Sequence, residues 1–109
     1  MQEVSAMAAI KITSENYDSE VLGSAKPVLL DFWADWCTPC KMLSPVIDAL
    51  ADDHPEMKVG KVNVDEEKEL AQRFNVMSIP ALFVIRGGKV VKQSTGLKSK
   101  AEILEMLLP

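Results

Sequence analysis

Two cysteines stand three residues apart in Trp36-Cys37-Thr38-Pro39-Cys40-Lys41, and they are the only cysteines in the 109-residue sequence. Thiols at this spacing can cycle between dithiol and disulfide if a helix begins at the first of them. The free N–H groups and the dipole at a helix start favour a thiolate. Cys37 is then the better nucleophile near neutral pH. Cys40 lies one turn deeper on the same face, with its Cα roughly 5–6 Å away. From there it can resolve a mixed disulfide formed at Cys37. Pro39 falls in the first turn, where its missing donor costs nothing. The competing reading is a pair of inert core thiols, but buried cysteines would rarely flank Thr38-Pro39 at a helix start.

A metal site would need further ligands. The only histidine, His54, lies fourteen residues beyond Cys40. Along a helix that is about 21 Å, too far to share an ion. His54 reads instead as a solvated residue at a helix C-terminus. Asp31 interrupts an apolar run, and a carboxylate in a buried strand is costly unless paired or protonated. Burial would raise its pKa. Two readings stand open for it. It either relays a proton to or from Cys40, or it is a structural Asp that is satisfied locally or faces solvent at a sheet edge. Lys61, in a neighbouring strand, stands where it could modulate Asp31. The Ile79-Pro80 bond, judged from the residues alone, is expected to be trans. Trp36 is expected as a surface contact for partners and Trp33 as packing.

The elements that position these groups can be read in order. A short strand is expected over 8–12. A helix follows over about 15–22, capped by Thr13 or Ser14 and ended by Gly23. Residues 28–34 are nearly all apolar, as in a strand buried on both faces. The helix after the cysteines runs to about 53 on the stripe Leu43, Val46, Ile47 and Leu50, with Pro45 kinking it. A strand over 58–64 puts Val62 and Val64 on one face and Lys61 on the other. Asp65 is placed to cap a helix over about 66–74, with Glu66, Glu67 and Arg73 suited to its dipole. A loop over 75–80 leads to a strand over 81–85. Gly87-Gly88 signals a hairpin into a strand over 89–95, ended by Gly96. Ser99 and Glu102 form a capping box for a last helix with Ile103, Leu104, Leu107 and Leu108 inward. The order βαβαβαββα predicts an α/β fold, a mixed sheet with helices on both faces.

Composition agrees with one soluble domain over 8–109 and a flexible tail over 1–7. The formal net charge is −4, with both signs interspersed, which argues against nucleic-acid binding. Apolar runs fall far short of the roughly 20 residues of a membrane span. The first residues lack a basic segment and a long apolar block, so no secretory signal is expected. With only two cysteines, the chain reads as cytosolic, its thiols serving chemistry rather than stapling.

The segment Val28-Leu29-Leu30-Asp31-Phe32-Trp33-Ala34-Asp35-Trp36-Cys37-Thr38-Pro39-Cys40-Lys41 resembles the active-site segment of the thioredoxin family. The likeness runs from about residue 8 to residue 108. It includes Lys61-Val62-Asn63-Val64-Asp65, Ser78-Ile79-Pro80-Ala81 and Gly87-Gly88-Lys89. It implies the thioredoxin fold, a central five-stranded mixed sheet flanked by four helices. It implies Cys37 as attacking thiol, Cys40 as resolving thiol and Asp31 as the buried proton-transfer group, with Lys61 beside it. It changes the expectation for Pro80 from trans to cis, facing the cysteines. It implies a client surface of Trp36, Ile79, Pro80 and Gly96, where an extended peptide pairs with the Ile79 backbone. It implies a monomer that binds no cofactor and takes electrons from NADPH through a thioredoxin reductase. Two positions depart from the common pattern. Thr38 replaces a frequent Gly in the dipeptide that, with Pro39, tunes the redox potential. Ala81 replaces a frequent Thr.

The expected activity is reduction of protein disulfides. An oxidising or isomerising catalyst on the same fold is one rival. A binding module whose thiols are incidental is another, opposed by the intact Cys37–Cys40 pair and by Asp31.

Overall fold

The computed structural model describes residues 9–109. The expected tail over 1–7 lies outside the described residues. The strands are β1 (Ala9–Lys11), β2 (Val28–Trp33), β3 (Lys58–Asn63), β4 (Ala81–Arg86) and β5 (Lys89–Thr95). The α-helices are α1 (Thr38–Asp53), α2 (Lys68–Arg73) and α3 (Lys100–Met106). A π-helical segment, Asp18–Leu22, lies between β1 and β2.

The five strands lie in the order β1-β3-β2-β4-β5. β1, β3 and β2 are parallel, while β4 runs antiparallel to both β2 and β5. The apolar run therefore becomes the central strand, which covers both faces with period two. Val28, Leu30 and Phe32 face a core with Val62, Phe83, Tyr17, Val21 and Leu70. Leu29 faces the other core, with Leu43, Ile47 and Leu50 of α1 and Ile103 of α3. Asp31 shares the parity of Leu29, so it points toward the α1 side. On the opposite side the rings of Phe32, Phe74 and Phe83 meet at centroid distances of 5.0–5.3 Å.

Several local expectations stand. Gly87 and Gly88 take positive φ, 58° and 80°, in the β4–β5 turn, the geometry that favours glycine in tight hairpins. The Ser99 hydroxyl accepts from Glu102 N, and the Glu102 carboxylate accepts from Ser99 N, completing the capping box.

Three expectations are corrected. The first helix is shorter than 15–22 and more loosely wound, a π-helical segment over Asp18–Leu22. Thr13 Oγ1 accepts from the N–H groups of Glu15 and Asn16 in a local turn, and Gly23 N donates five residues back to Asp18 O. Asp65 does not cap α2, which begins after Glu67. Asn63 Oδ1 accepts from Asp65 N and Glu66 N instead, a side-chain turn that competes with helix continuation. Leu108 is 59% exposed, because α3 ends at Met106 and the periodicity no longer applies.

Gly60 on β3 marks a close approach between elements. A Cβ there would sit 2.5 Å from Ile12 Cγ1 and 3.0 Å from Leu30 Cδ2.

Candidate active site

The site sits at the β2–α1 junction. Cys37 is the N-cap of α1, in extended conformation, and its sulfur accepts the Cys40 N–H at 3.2 Å. That is a capping hydrogen bond made by sulfur, and it stabilises negative charge on Cys37 more than on Cys40. Thr38 and Pro39 occupy the first two helical positions and are exposed. The two sulfurs are joined as a disulfide, with the Cα atoms 5.3 Å apart. Exposure does not separate the two thiols, since Cys37 is 4% and Cys40 3% exposed. What separates them is position on the helix.

Ala34 packs with both cysteines, and Trp33, Val64 and Ile79 lie against that cluster. The Ile79–Pro80 bond is cis, as the family resemblance implied and the residues alone did not. Gly96 N donates to Pro80 O at 2.8 Å, with Gly96 at φ 90°, so Gly96 stands beside the proline. Among the described residues, none hydrogen-bonds the Ile79 N–H or C=O.

Trp36 is 68% exposed, and its indole N–H donates to Asp65 Oδ2 at 2.9 Å. Trp36, Val64, Val76, Met77 and Ile79 line a shallow groove of about 390 Å³ beside the disulfide. Met77 is 86% exposed on its rim.

Asp31 lies beneath the disulfide. It is 2% exposed, which removes the solvent-facing edge reading. Among the described residues its Oδ1 has no hydrogen-bond partner. Burial pushes its pKa up from 3.8 to about 7, opposed by the Lys61 ammonium and assisted by the Asp48 carboxylate. Lys61 is the direct cross-strand neighbour of Asp31 on β3. Its ammonium, however, donates to Ser44 Oγ at 2.9 Å and lies 2.7 Å from Asp48 Oδ1. A cavity of about 150 Å³ lined by Asp31, Trp33, Cys40, Lys41, Ser44 and Lys61 connects these groups.

All the sequence-predicted residues thus converge on one end of the sheet. Sequence reasoning missed Ser44, Asp48, Asp65 and Met77. Ser44 and Asp48 fall four and eight residues after Cys40, a helical spacing that places them on its face. Asp65 was expected at a helix end, and nothing in its local sequence pairs it with Trp36.

The thioredoxin family model matches residues 8–108. This chain belongs to the thioredoxin family. A thioredoxin of Mycobacterium tuberculosis is 43% identical over 108 residues, covering 98% of this chain and 93% of that protein. A thioredoxin of Chlorobaculum thiosulfatiphilum is 46% identical over 96 residues, 87% of this chain and 89% of its own length. A bifunctional thioredoxin reductase/thioredoxin of Mycobacterium leprae is 43% identical over 103 residues, which span 94% of this chain and 22% of that protein.

The chain is accordingly a dithiol–disulfide oxidoreductase that reduces protein disulfides through Cys37 and Cys40. The thioredoxin reaction uses the two thiols themselves and no resident cofactor. Among the described residues, no three His, Cys, Asp or Glu side chains are grouped as a metal site would require. None of their helices is long and apolar enough to cross a membrane.

Proposed function

We propose that Cys37 attacks and Cys40 resolves, with Asp31 as the proton acceptor and the Ile79–Pro80 edge as the client platform. The observation that carries this reading is the capping bond from Cys40 N–H to Cys37 sulfur. In the reduced protein that bond favours the Cys37 thiolate. The thiolate attacks one sulfur of a client disulfide, and the other leaves as a thiolate that takes a proton from solvent. A mixed disulfide now joins Cys37 to the client. The Cys40 thiol gives its proton to the Asp31 carboxylate and attacks the Cys37 sulfur. The client departs with both of its sulfurs reduced, and Cys37–Cys40 is oxidised by two electrons. Asp31 then loses its proton to water through the cavity.

The free N–H and C=O of Ile79 support an extended client segment pairing there as an added strand. Trp36, Pro80 and Gly96 flank it. Lys61 tempers the charge on Asp31, and Thr38 and Pro39 tune the potential from the exposed first turn. The oxidised pair is re-reduced by a thioredoxin reductase drawing on NADPH. The fused relative from Mycobacterium leprae, named for both activities, supports such a pairing. The remaining parts of the reading are a single domain over 8–109, a monomer and a cytosolic location, where a reducing dithiol is useful.

Insulin reduction by dithiothreitol tests the reading. The wild type accelerates it, and Cys37→Ser abolishes the acceleration. Equal rates for the two proteins would refute the thiol roles. A reduction potential above roughly −200 mV would favour an oxidising catalyst instead.

A further inference from the structure

Cys40, Ser44 and Asp48 form one row on α1, spaced four residues apart, running from the disulfide out to solvent. The Lys61 side chain meets this row from β3. Its backbone lies directly opposite Asp31, yet its ammonium is 2.9 Å from Ser44 Oγ and 2.7 Å from Asp48 Oδ1. Asp31 Oδ1, on the same cavity, is left without a partner among the described residues. We propose that Ser44 and Asp48 are positioning residues that hold the Lys61 ammonium at the outer end of this cavity and keep it from closing an ion pair with Asp31.

The physical basis is a competition for one ammonium. Two carboxylates stand near it. Asp48 is 56% exposed and keeps most of its hydration, so pairing with it costs little desolvation. Asp31 is buried, and pairing with it requires drawing the ammonium inward, away from water. Ser44 tips the balance outward by accepting one of the three ammonium hydrogens. The placement matters for turnover. An ammonium paired directly with Asp31 would hold its carboxylate ionised and weaken it as an acceptor for the Cys40 proton. An ammonium held outside acts only through space, and burial then dominates.

The charged and titratable groups facing Asp31 are few. Lys61 comes from β3, and Cys40, Lys41 and Asp48 come from α1. From β4 the opposing residue is Leu82, which carries no charge.

This inference rests on the reading of Asp31 as proton acceptor, so the test has a readout independent of activity. The Asp31 side-chain carboxyl is followed by carbon NMR against pH, in wild type, Asp48→Asn, Lys61→Gln and the double variant. Asp48→Asn keeps the shape of a surface side chain but gives the ammonium no anion to hold it. The expected result is a fall of about one pH unit in the Asp31 midpoint, roughly a tenfold loss of proton affinity. Ser44→Ala moves it the same way but less, by about twofold, because Asp48 still holds the ammonium once its bond to Ser44 is lost. In the Lys61→Gln background, Asp48→Asn changes the midpoint less than about twofold, because the ammonium it places is gone. An Asp48→Asn midpoint unchanged from wild type overturns the proposal. So does an equal fall with and without Lys61, since Asp48 would then act through its own charge. Insulin reduction by Asp31→Asn from about pH 6 to about pH 9 is run alongside. Unchanged turnover there defeats the acceptor reading, while the NMR cycle still decides the placement of Lys61.

Discussion

Replacing Asp31 by Asn should stabilise the protein, and by an amount that depends on pH. The side chain lies in the central strand, 2% exposed, with Oδ1 unpartnered among the described residues. Burial raises its pKa from 3.8 to about 7. Between those values the native protein keeps a proton that the unfolded chain has released. Stability therefore falls as pH rises through that window, and the whole penalty is present above pH 7. At about 1.36 kcal/mol per pH unit, the penalty reaches about 4 kcal/mol. Asparagine has the same shape and no charge, so it carries no such penalty. Below about pH 3 the wild-type carboxyl is neutral in both states, and at about pH 4, close to the unfolded value of 3.8, the two proteins should differ by less than about 1 kcal/mol. The assay is urea unfolding of the oxidised protein, followed by tryptophan fluorescence, at about pH 4, 6 and 8.5. With an m value of about 2 kcal/mol/M, the Asp31→Asn midpoint should exceed wild type by about 2 M at the highest pH. A difference that stays constant across pH would refute the reasoning, because desolvation of a carboxylate must titrate. A variant less stable than wild type above pH 7 would refute it more directly, by implying a hydrogen-bonded, stabilising anion.

Two further substitutions test the scaffold. Ser99→Ala removes the side-chain half of the α3 capping box, and should lower unfolding free energy by about 1 kcal/mol. Denaturant unfolding at neutral pH measures it. Gly60→Ala puts a Cβ within 2.5 Å of Ile12 Cγ1, and should cost about 1–3 kcal/mol. Combining it with Ile12→Ala, which clears that space, should give a total loss smaller than the sum of the two single losses.

Much of the site was legible from one segment. The spacing of Cys37 and Cys40, the apolar strand before them and the helical stripe after them are local features. Local geometry makes one sulfur a cap and the other its partner one turn on. The residues alone left two readings open for Asp31, with Lys61 as its neighbour, and family likeness chose between them. The roles expected of Ile79, Pro80 and Gly96 rested on likeness altogether, because those residues lie in different strands and loops. Where local rules failed, a side chain had found another partner. Asp65 holds the Trp36 indole while Asn63 makes the turn. Thr13 and Gly23 reshape the first helix into a local turn and a π-helical segment.

The sequence by itself determined the corner that holds the two cysteines, since a cap and a first helical turn involve neighbours only. It also determined that a carboxylate would interrupt the apolar run through β2. The tertiary structure decided whether that carboxylate was buried, because only the strand order puts β2 at the centre of the sheet. It decided as well where the Lys61 charge rests. Lys61 and Asp31 face one another across two strands, but the ammonium binds a helix that packs over both. No pattern within any one of those three elements contains that choice, because it depends on which side chains the fold brings within reach.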